Sequence, residues 1–350
     1  MGLSLAIGTL TGFLFVSLAF LPPLPRFAVF CVVSGLMAAL VVLLTWPIGR
    51  VEIGDVFPSE RDDERDIMFA RARLQDGTLE YDSYYSLRPE KKEIDDKLRS
   101  LPGILSPEGS LADPIHFASS DASFFLTEAI REAVDGPVSP QQVVRDKEKM
   151  SKFLKSLTQY YGALDVGITR LEPYHVYSNI GRGTGTYGSP IPLEHDFAIA
   201  FTTEMNREVI AANPRSPVTM ESARQYVECA RVAVQLSQFV RNLGYPARAH
   251  IDGNYRVIAP LVARDAGLGE LGRMGLLMTP ALGPRVRIGV VTTELELAPD
   301  KYVPDGPVLD FCRICTKCAD CCPSQAIPSE DREEFQGTLR WRIDSESCFR

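Results

Sequence analysis

Two uncharged stretches open the chain. Gly2 to Leu21 and Phe27 to Ile48 carry no charged residue, and Pro22-Pro23-Leu24-Pro25-Arg26 separates them. Each has the ~20 apolar residues that a helix needs to cross a hydrocarbon core, and the prolines between them lack the N–H groups of a continuing helix. The pattern predicts a two-helix transmembrane hairpin over residues 1–50. Arg26 stands alone in the loop, whereas Arg50, Arg61 and Arg65 follow the second run. The positive-inside bias then predicts a multi-pass protein of the cytoplasmic membrane, with its large domain in the cytoplasm.

Residues 51–121 are patterned differently. Charge is dense from Pro58 to Asp66 and from Glu90 to Lys97, which predicts solvated helix faces in a connecting segment. Residues 101–123, with Pro102-Gly103 and Pro107, read as loop. From about Ala122 the periodicity becomes regular. Helices are predicted over Phe125–Ala133 and Gln141–Tyr161, the second stopped by Gly162, and a long one runs from Thr219 to Val240, closed by Gly244. Strands are predicted over Ala163–Thr169, Phe197–Thr202, Ala247–Ile251 and Val286–Thr293. This interleaving predicts an α+β fold with an α/β sandwich core over residues 122–305.

The net charge of −8 argues against a nucleic-acid partner, which a basic patch would announce. Cysteine usage changes the picture more. Six of the eight cysteines lie from Cys312 onward, and the four histidines show no H-E-x-x-H spacing. Cys312-x2-Cys315-x2-Cys318-x3-Cys322-Pro323 is the spacing of a [4Fe–4S] site, since four soft thiolates on short spacers suit the irons of a cubane. In two-cluster ferredoxins the fourth cysteine of such a run serves the other cluster, so Cys322 is assigned to a second centre, with Cys348 as a further ligand. Zinc knuckles pair C-x2-C units across a longer gap, and Cys321 has no slot in the pattern. Residues 306–350 are thus expected to be a ferredoxin-like 4Fe–4S segment with one or two clusters. Because Arg350 follows the unmatched Cys348 so closely, the expectation is a chain cut short within that module.

Glycines crowd the stretch before it. Gly267, Gly269, Gly272, Gly275 and Gly283 permit backbone to approach a large flat or anionic ligand closely. They do not follow a strand as a dinucleotide-binding turn would, and no Walker Gly-Lys-Ser/Thr occurs.

From Tyr226 to Pro323 the sequence resembles the corrinoid- and iron–sulfur-dependent reductive dehalogenase family. The resemblance lies in Leu243-Gly-Tyr-Pro-Ala-Arg248, Ala266-Gly-Leu-Gly-Glu-Leu-Gly-Arg273, Gly283-Pro-Arg-Val-Arg287, Thr292-Thr-Glu-Leu295 and Cys318-Ala-Asp-Cys-Cys-Pro-Ser-Gln-Ala-Ile327. Weaker similarity reaches back to Phe153. The related epoxyqueuosine reductases carry a Gly-Lys-Asn element where this chain has Leu271-Gly272-Arg273.

The resemblance implies a nitroreductase-like core binding cobalamin or a related corrinoid, base-off, through the glycine stretch with Glu270 and Arg273. It implies that Tyr226 donates a proton, that Arg287 assists it, and that Asn254 lines the substrate pocket. The activity implied is reductive cleavage of a carbon–halogen bond in an organohalide, with electrons delivered through 4Fe–4S clusters from a quinol or a soluble reductant. No twin-arginine pair precedes the first apolar run, which points to a membrane-anchored branch of the family. A corrinoid reductase acting on another substrate and a membrane-tethered ferredoxin-like electron carrier are the alternatives.

Overall fold

The computed structural model describes residues 22–45, 53–54, 57–102 and 106–349. The chain divides into two compact units, Met1–Glu52 and Ile53–Arg350.

In the first unit, helix α1 spans Pro23–Thr45. The other predicted span, Gly2 to Leu21, lies outside the described residues. Among the described residues no helix is long and apolar enough to cross a membrane, which overturns the expected transmembrane hairpin and the multi-pass membrane localisation drawn from it. The first turn of α1 holds Pro23, Pro25 and Arg26. Its uncharged part runs from Phe27 to Thr45, shorter than the uncharged Phe27–Ile48 run of the sequence.

The second unit begins with short helices α2 (Met68–Arg71), α3 (Leu79–Leu87) and α4 (Lys92–Arg99). Part of their charge is solvated, as at Glu80, Lys92, Glu93 and Lys97, and part is buried. Arg71 and Asp95 are buried and joined by two hydrogen bonds, Nε–Oδ2 at 3.0 Å and Nη2–Oδ1 at 2.6 Å. The Tyr85 hydroxyl donates to the same Asp95 at 2.8 Å. Glu64 is fully buried and accepts from the backbone N–H groups of Gly181 and Arg182 at 2.9 and 3.2 Å. Charged groups can be buried in this way only because each finds a partner.

Helix α5 spans Pro114–Ala129; the helix expected from Phe125 thus starts about three turns earlier, in residues expected to be loop. Its start is written in the sequence as Asp113-Pro114: the Asp113 carboxylate accepts from the N–H groups of Ile115 and His116, and proline at the first helical position needs no donor. Helix α6 covers Lys147–Tyr160.

Strands β1 (Asp165–Arg170) and β2 (Phe197–Glu204) follow, then α7 (Arg207–Ile210) and α8 (Pro217–Asn242). Next come β3 (Ala247–His250), α9 (Ala259–Asp265), the two-residue strands β4 (Glu270–Leu271) and β5 (Leu277–Met278), and β6 (Val286–Thr293). The main sheet has the order β1-β2-β6-β3, antiparallel throughout. Both faces are covered, and alternation along β2 shows how. Phe197, Ile199 and Phe201 join the core beneath α6 and α8, while Ala198 and Ala200 join a second core with Val262 and Ala263 of α9. The small alanines let α9 lie close. Gly289 on β6 is required beside them, because a methyl there would fall 2.2 Å from the Phe201 ring.

The last elements are α10 (Gly306–Cys315), α11 (Lys317–Asp320), the hairpin β7 (Glu333–Phe335) with β8 (Thr338–Arg340), and α12 (Ser345–Phe349).

Two histidines meet across the sheet. His250 Nδ1 accepts the Arg256 N–H at 3.1 Å, so its Nε2–H donates to the Thr292 hydroxyl at 3.0 Å, and that hydroxyl meets His195 Nδ1 at 2.8 Å. Burial pushes His195 down to about 4, against a smaller opposing pull from Asp196. A folded-state pKa below the ordinary 6.5 means that the unfolded chain binds the extra proton. The stability is therefore present above pH ~6.5 and is lost as pH falls toward 4. In urea unfolding, the difference in stability between the parent and His195→Gln should shrink by about 2 kcal/mol from pH 7 to pH 4.5. A pH-independent difference would refute the assignment.

Candidate functional site

The long helix α8 supplies the first candidate group. It buries Ala223, Ala230, Ala233 and Leu236 against the sheet. Ser222 and Tyr226, one turn apart, share a helix face. Strand β6 begins opposite, and Arg287 is its second residue. The Arg287 guanidinium carbon lies 4.2 Å from the centroid of the Tyr226 ring, and Nη1 donates to the phenol oxygen at 3.3 Å. Nη2 donates to the Ser222 hydroxyl. Arg287 Nε is buried with no hydrogen-bond partner, and among the described residues no carboxylate pairs with this side chain.

Burial holds the Tyr226 phenol above its ordinary range, while Arg287 pulls the other way, with Asp252 and Arg182 also close enough to act on it. Tyr255 is raised by burial as well and feels Tyr226 and Asp252. Both rings are partly exposed by surface area yet closely walled by protein. The structure thus brings Tyr226 and Arg287 together as the sequence suggests.

Asn254 sits in a hydrogen-bond network of its own. It is fully buried. Its Oδ1 accepts from Arg248 Nη2 at 2.9 Å and from the Thr184 hydroxyl at 3.2 Å, and its Nδ2 donates to the Arg131 carbonyl at 3.1 Å. These bonds occupy its polar atoms in tying the 182–185 loop to β3.

The glycine stretch forms the β4–β5 hairpin, and two of its members require glycine sterically. At Gly269 (φ +156°) a methyl would fall 2.3 Å from the Met278 carbonyl oxygen. At Gly272 it would meet Met278 at 2.8 Å and the Cys312 sulfur at 3.4 Å. Gly267 and Gly283 take positive φ. Gly275 (φ +71°) has no atom within 4 Å of where a methyl would stand, which leaves bare backbone on that side.

Glu270 and Arg273 face the cysteine segment. Glu270 accepts from the Tyr302 hydroxyl at 2.7 Å and from the Asp305 N–H at 3.2 Å, at the start of α10. Arg273 is almost fully buried. It donates to the carbonyls of Cys312 (3.0 Å), Arg313 (3.3 Å), Pro328 (2.8 Å) and Glu330, and lies over the Trp341 ring at 4.9 Å.

Cys312 and Cys315 lie on α10 and Cys318 on α11, with Thr316 in the left-handed conformation between them. Cys322 follows α11, and Cys348 lies on α12. All six C-terminal cysteines are free thiols. Among the described residues, no group of three or more histidine, cysteine or acidic side chains converges closely enough to hold a metal ion. The donor chemistry nevertheless suits an iron–sulfur centre. The Cys322 thiol is held at about 7 by the Ser324 hydroxyl and by backbone N–H groups of Ala326, Ile327 and Ser324, a setting that favours thiolate sulfur.

Helix α12 is fastened from the N-terminal segment. Glu346 accepts from Arg71 at 2.9 Å and from Lys91 at 2.7 Å, and Phe349 packs edge-on against Phe69 at 5.3 Å.

Sequence reasoning missed Ser222, Arg182, Asp252 and Tyr255 around the phenol. The i,i+4 relation of Ser222 to Tyr226 was a usable signal; the other three are brought in by tertiary contacts alone.

No protein-family model matches the chain. It is 35% identical over 250 residues to a tetrachloroethene reductive dehalogenase of Desulfitobacterium hafniense, covering 58% of this chain and 45% of that protein. Among solved structures, it matches a catabolic reductive dehalogenase (NpRdhA) in complex with 3-bromo-4-hydroxybenzoic acid with a TM-score of 0.67 and 26% identity, over 83% of this chain and 38% of that one. A reductive dehalogenase whose structure suggests a mechanism for B12-dependent dehalogenation matches with a TM-score of 0.59 and 27% identity, over 73% and 38%. An epoxyqueuosine reductase of Staphylococcus aureus is 39% identical over a shorter stretch of 66 residues, 19% of this chain and 16% of that protein. The chain spans less than half the length of the reductive dehalogenases it matches.

Removing Arg273 leaves buried carbonyl acceptors unpaired. Arg273→Met should therefore cost about 2–3 kcal/mol and open residues 306–341 to limited proteolysis, while cleavage between β1 and β6 stays slow. Unchanged cleavage in the cysteine segment would refute this role.

Proposed function

We propose, from the kinship of this chain with reductive dehalogenases, that it performs corrinoid-dependent reductive dehalogenation of an organohalide, with electrons delivered through 4Fe–4S clusters. The observation that carries this reading is the Tyr226–Arg287 pair: a largely enclosed phenol under a guanidinium that has no carboxylate partner among the described residues. Cys312, Cys315, Cys318 and Cys322 would hold cluster iron, with Cys348 as a further ligand. The glycine hairpin, bare at Gly275, offers an approach for a large flat corrinoid. Bound there, the corrinoid would supply the low-potential electron pair that replaces the carbon–halogen bond.

The balance is an organohalide plus two electrons and one proton giving the C–H product and halide. Tyr226 supplies that proton at its phenol oxygen. Burial keeps the phenol protonated near neutrality, so the donor is loaded before reaction. Once the proton has left, Arg287 Nη1 faces a phenolate. The bond from the guanidinium, long at 3.3 Å to a neutral phenol, then joins opposite charges and gains their Coulomb attraction. The stabilisation is thus realised late in the reaction, where it accelerates rather than merely binds.

Reconstituted protein should carry cobalt near one per chain and release halide from an organohalide panel under a low-potential reductant. Tyr226→Phe should keep corrinoid and cluster spectra while losing at least ~100-fold in turnover, the scale of a general acid. Unchanged turnover would remove Tyr226 from this role. Cys318→Ser should lower bound iron, and an unchanged iron content would remove Cys318 from the ligand set.

A further inference from the structure

Arg287 is unusual in what surrounds it. Its guanidinium is partly buried, yet among the described residues no carboxylate oxygen lies within 4 Å of it and Nε has no partner. Buried arginines elsewhere in this chain are anchored more firmly: Arg71 by Asp95 and Glu346, Arg273 by backbone carbonyls. For Arg287 the hydrogen bonds among the described residues number two, to the Tyr226 phenol at 3.3 Å and to the Ser222 hydroxyl. The first is long and belongs to the reacting group. Among the described residues, Ser222 is thus the one hydrogen-bonding side chain, outside the reacting pair, that fixes where the guanidinium sits.

The geometry fits that task. Ser222 lies one turn before Tyr226 on α8, so its Oγ and the phenol ring face Arg287 from the same helix surface. Anchoring Nη2 at Ser222 lays the guanidinium plane across the ring and leaves Nη1 aimed at the phenol oxygen. An arginine side chain has ~2 kcal/mol of rotamer entropy to lose, and a neutral hydroxyl holds it without adding a negative charge. A carboxylate in the same place would neutralise the cation and weaken its hold on phenolate.

We propose that Ser222 is a positioning residue, whose hydroxyl holds Arg287 across the face of Tyr226 so that the guanidinium meets the phenolate when the proton is transferred. This rests on the function proposed above, but its first test does not require turnover.

With 3-fluorotyrosine incorporated and the Tyr226 resonance assigned by its loss in Tyr226→Phe, the phenol is titrated by 19F NMR in the protein without added cofactor. Ser222→Ala should raise the apparent pKa of Tyr226 by about one unit, with thermal unfolding unchanged within a few degrees. Ser222→Thr, which keeps the hydroxyl, should return it to the parent value. In reconstituted protein, Ser222→Ala should lower kcat about tenfold with little change in KM, and Ser222→Thr should restore it. A Tyr226 titration identical in parent and Ser222→Ala overturns the proposal, and so does a shift that Ser222→Thr fails to reverse. A shift that Ser222→Thr reverses, in a protein that releases no halide from any organohalide, supports the positioning role and refutes the dehalogenase reading instead.

Discussion

One buried guanidinium joins the cysteine segment to the rest of the second unit. Arg273 leaves the β4–β5 hairpin and gathers carbonyls from two stretches of chain, Cys312–Arg313 and Pro328–Glu330, beneath the Trp341 ring. Carbonyl oxygens present partial negative charge without titrating, so this anchor is insensitive to pH in a way that carboxylates are not. The adjoining Gly272 lets the hairpin come within contact of the Cys312 sulfur. A methyl there would clash with Met278 of the same hairpin at 2.8 Å and stand 3.4 Å from that sulfur.

The sheet was largely legible in the sequence because its signal is local. Strand Val286–Thr293 coincides with the expectation, and the long helix closes at Gly244 (φ +88°), where a methyl would fall 2.5 Å from the Gln141 carbonyl oxygen. The start of helix α5 was placed too late, at Phe125, although Asp113-Pro114 announces it, because the prolines and glycine upstream dominated the reading of that region. The transmembrane expectation failed for a different reason. Runs of apolar residues fix a composition, whereas crossing a bilayer depends on the uninterrupted apolar length of a helix that starts at Pro23.

The site was legible in part. Tyr226 and Arg287 lie far apart in the chain, and only similarity to known sequences paired them before the fold did. Glu270 and Arg273 were expected to hold a cofactor, and their observed partners are Tyr302, Asp305 and backbone of the cysteine segment. The charges of residues 57–102 were the least legible. Nothing local distinguishes an Asp95 that meets buried Arg71 from one that meets water.

The pairing of Arg71 with Glu346 spans 275 residues, and this has a bearing on the order of assembly. Closing a loop of that length costs about 5 kcal/mol of chain entropy, and α12, a single turn, cannot persist alone. The contact therefore forms only after the sheet and its helices have brought the two ends of the unit together. The segment bearing Cys348 is thus fastened to the N-terminal part of the unit by a contact that depends on the rest of that unit being in place.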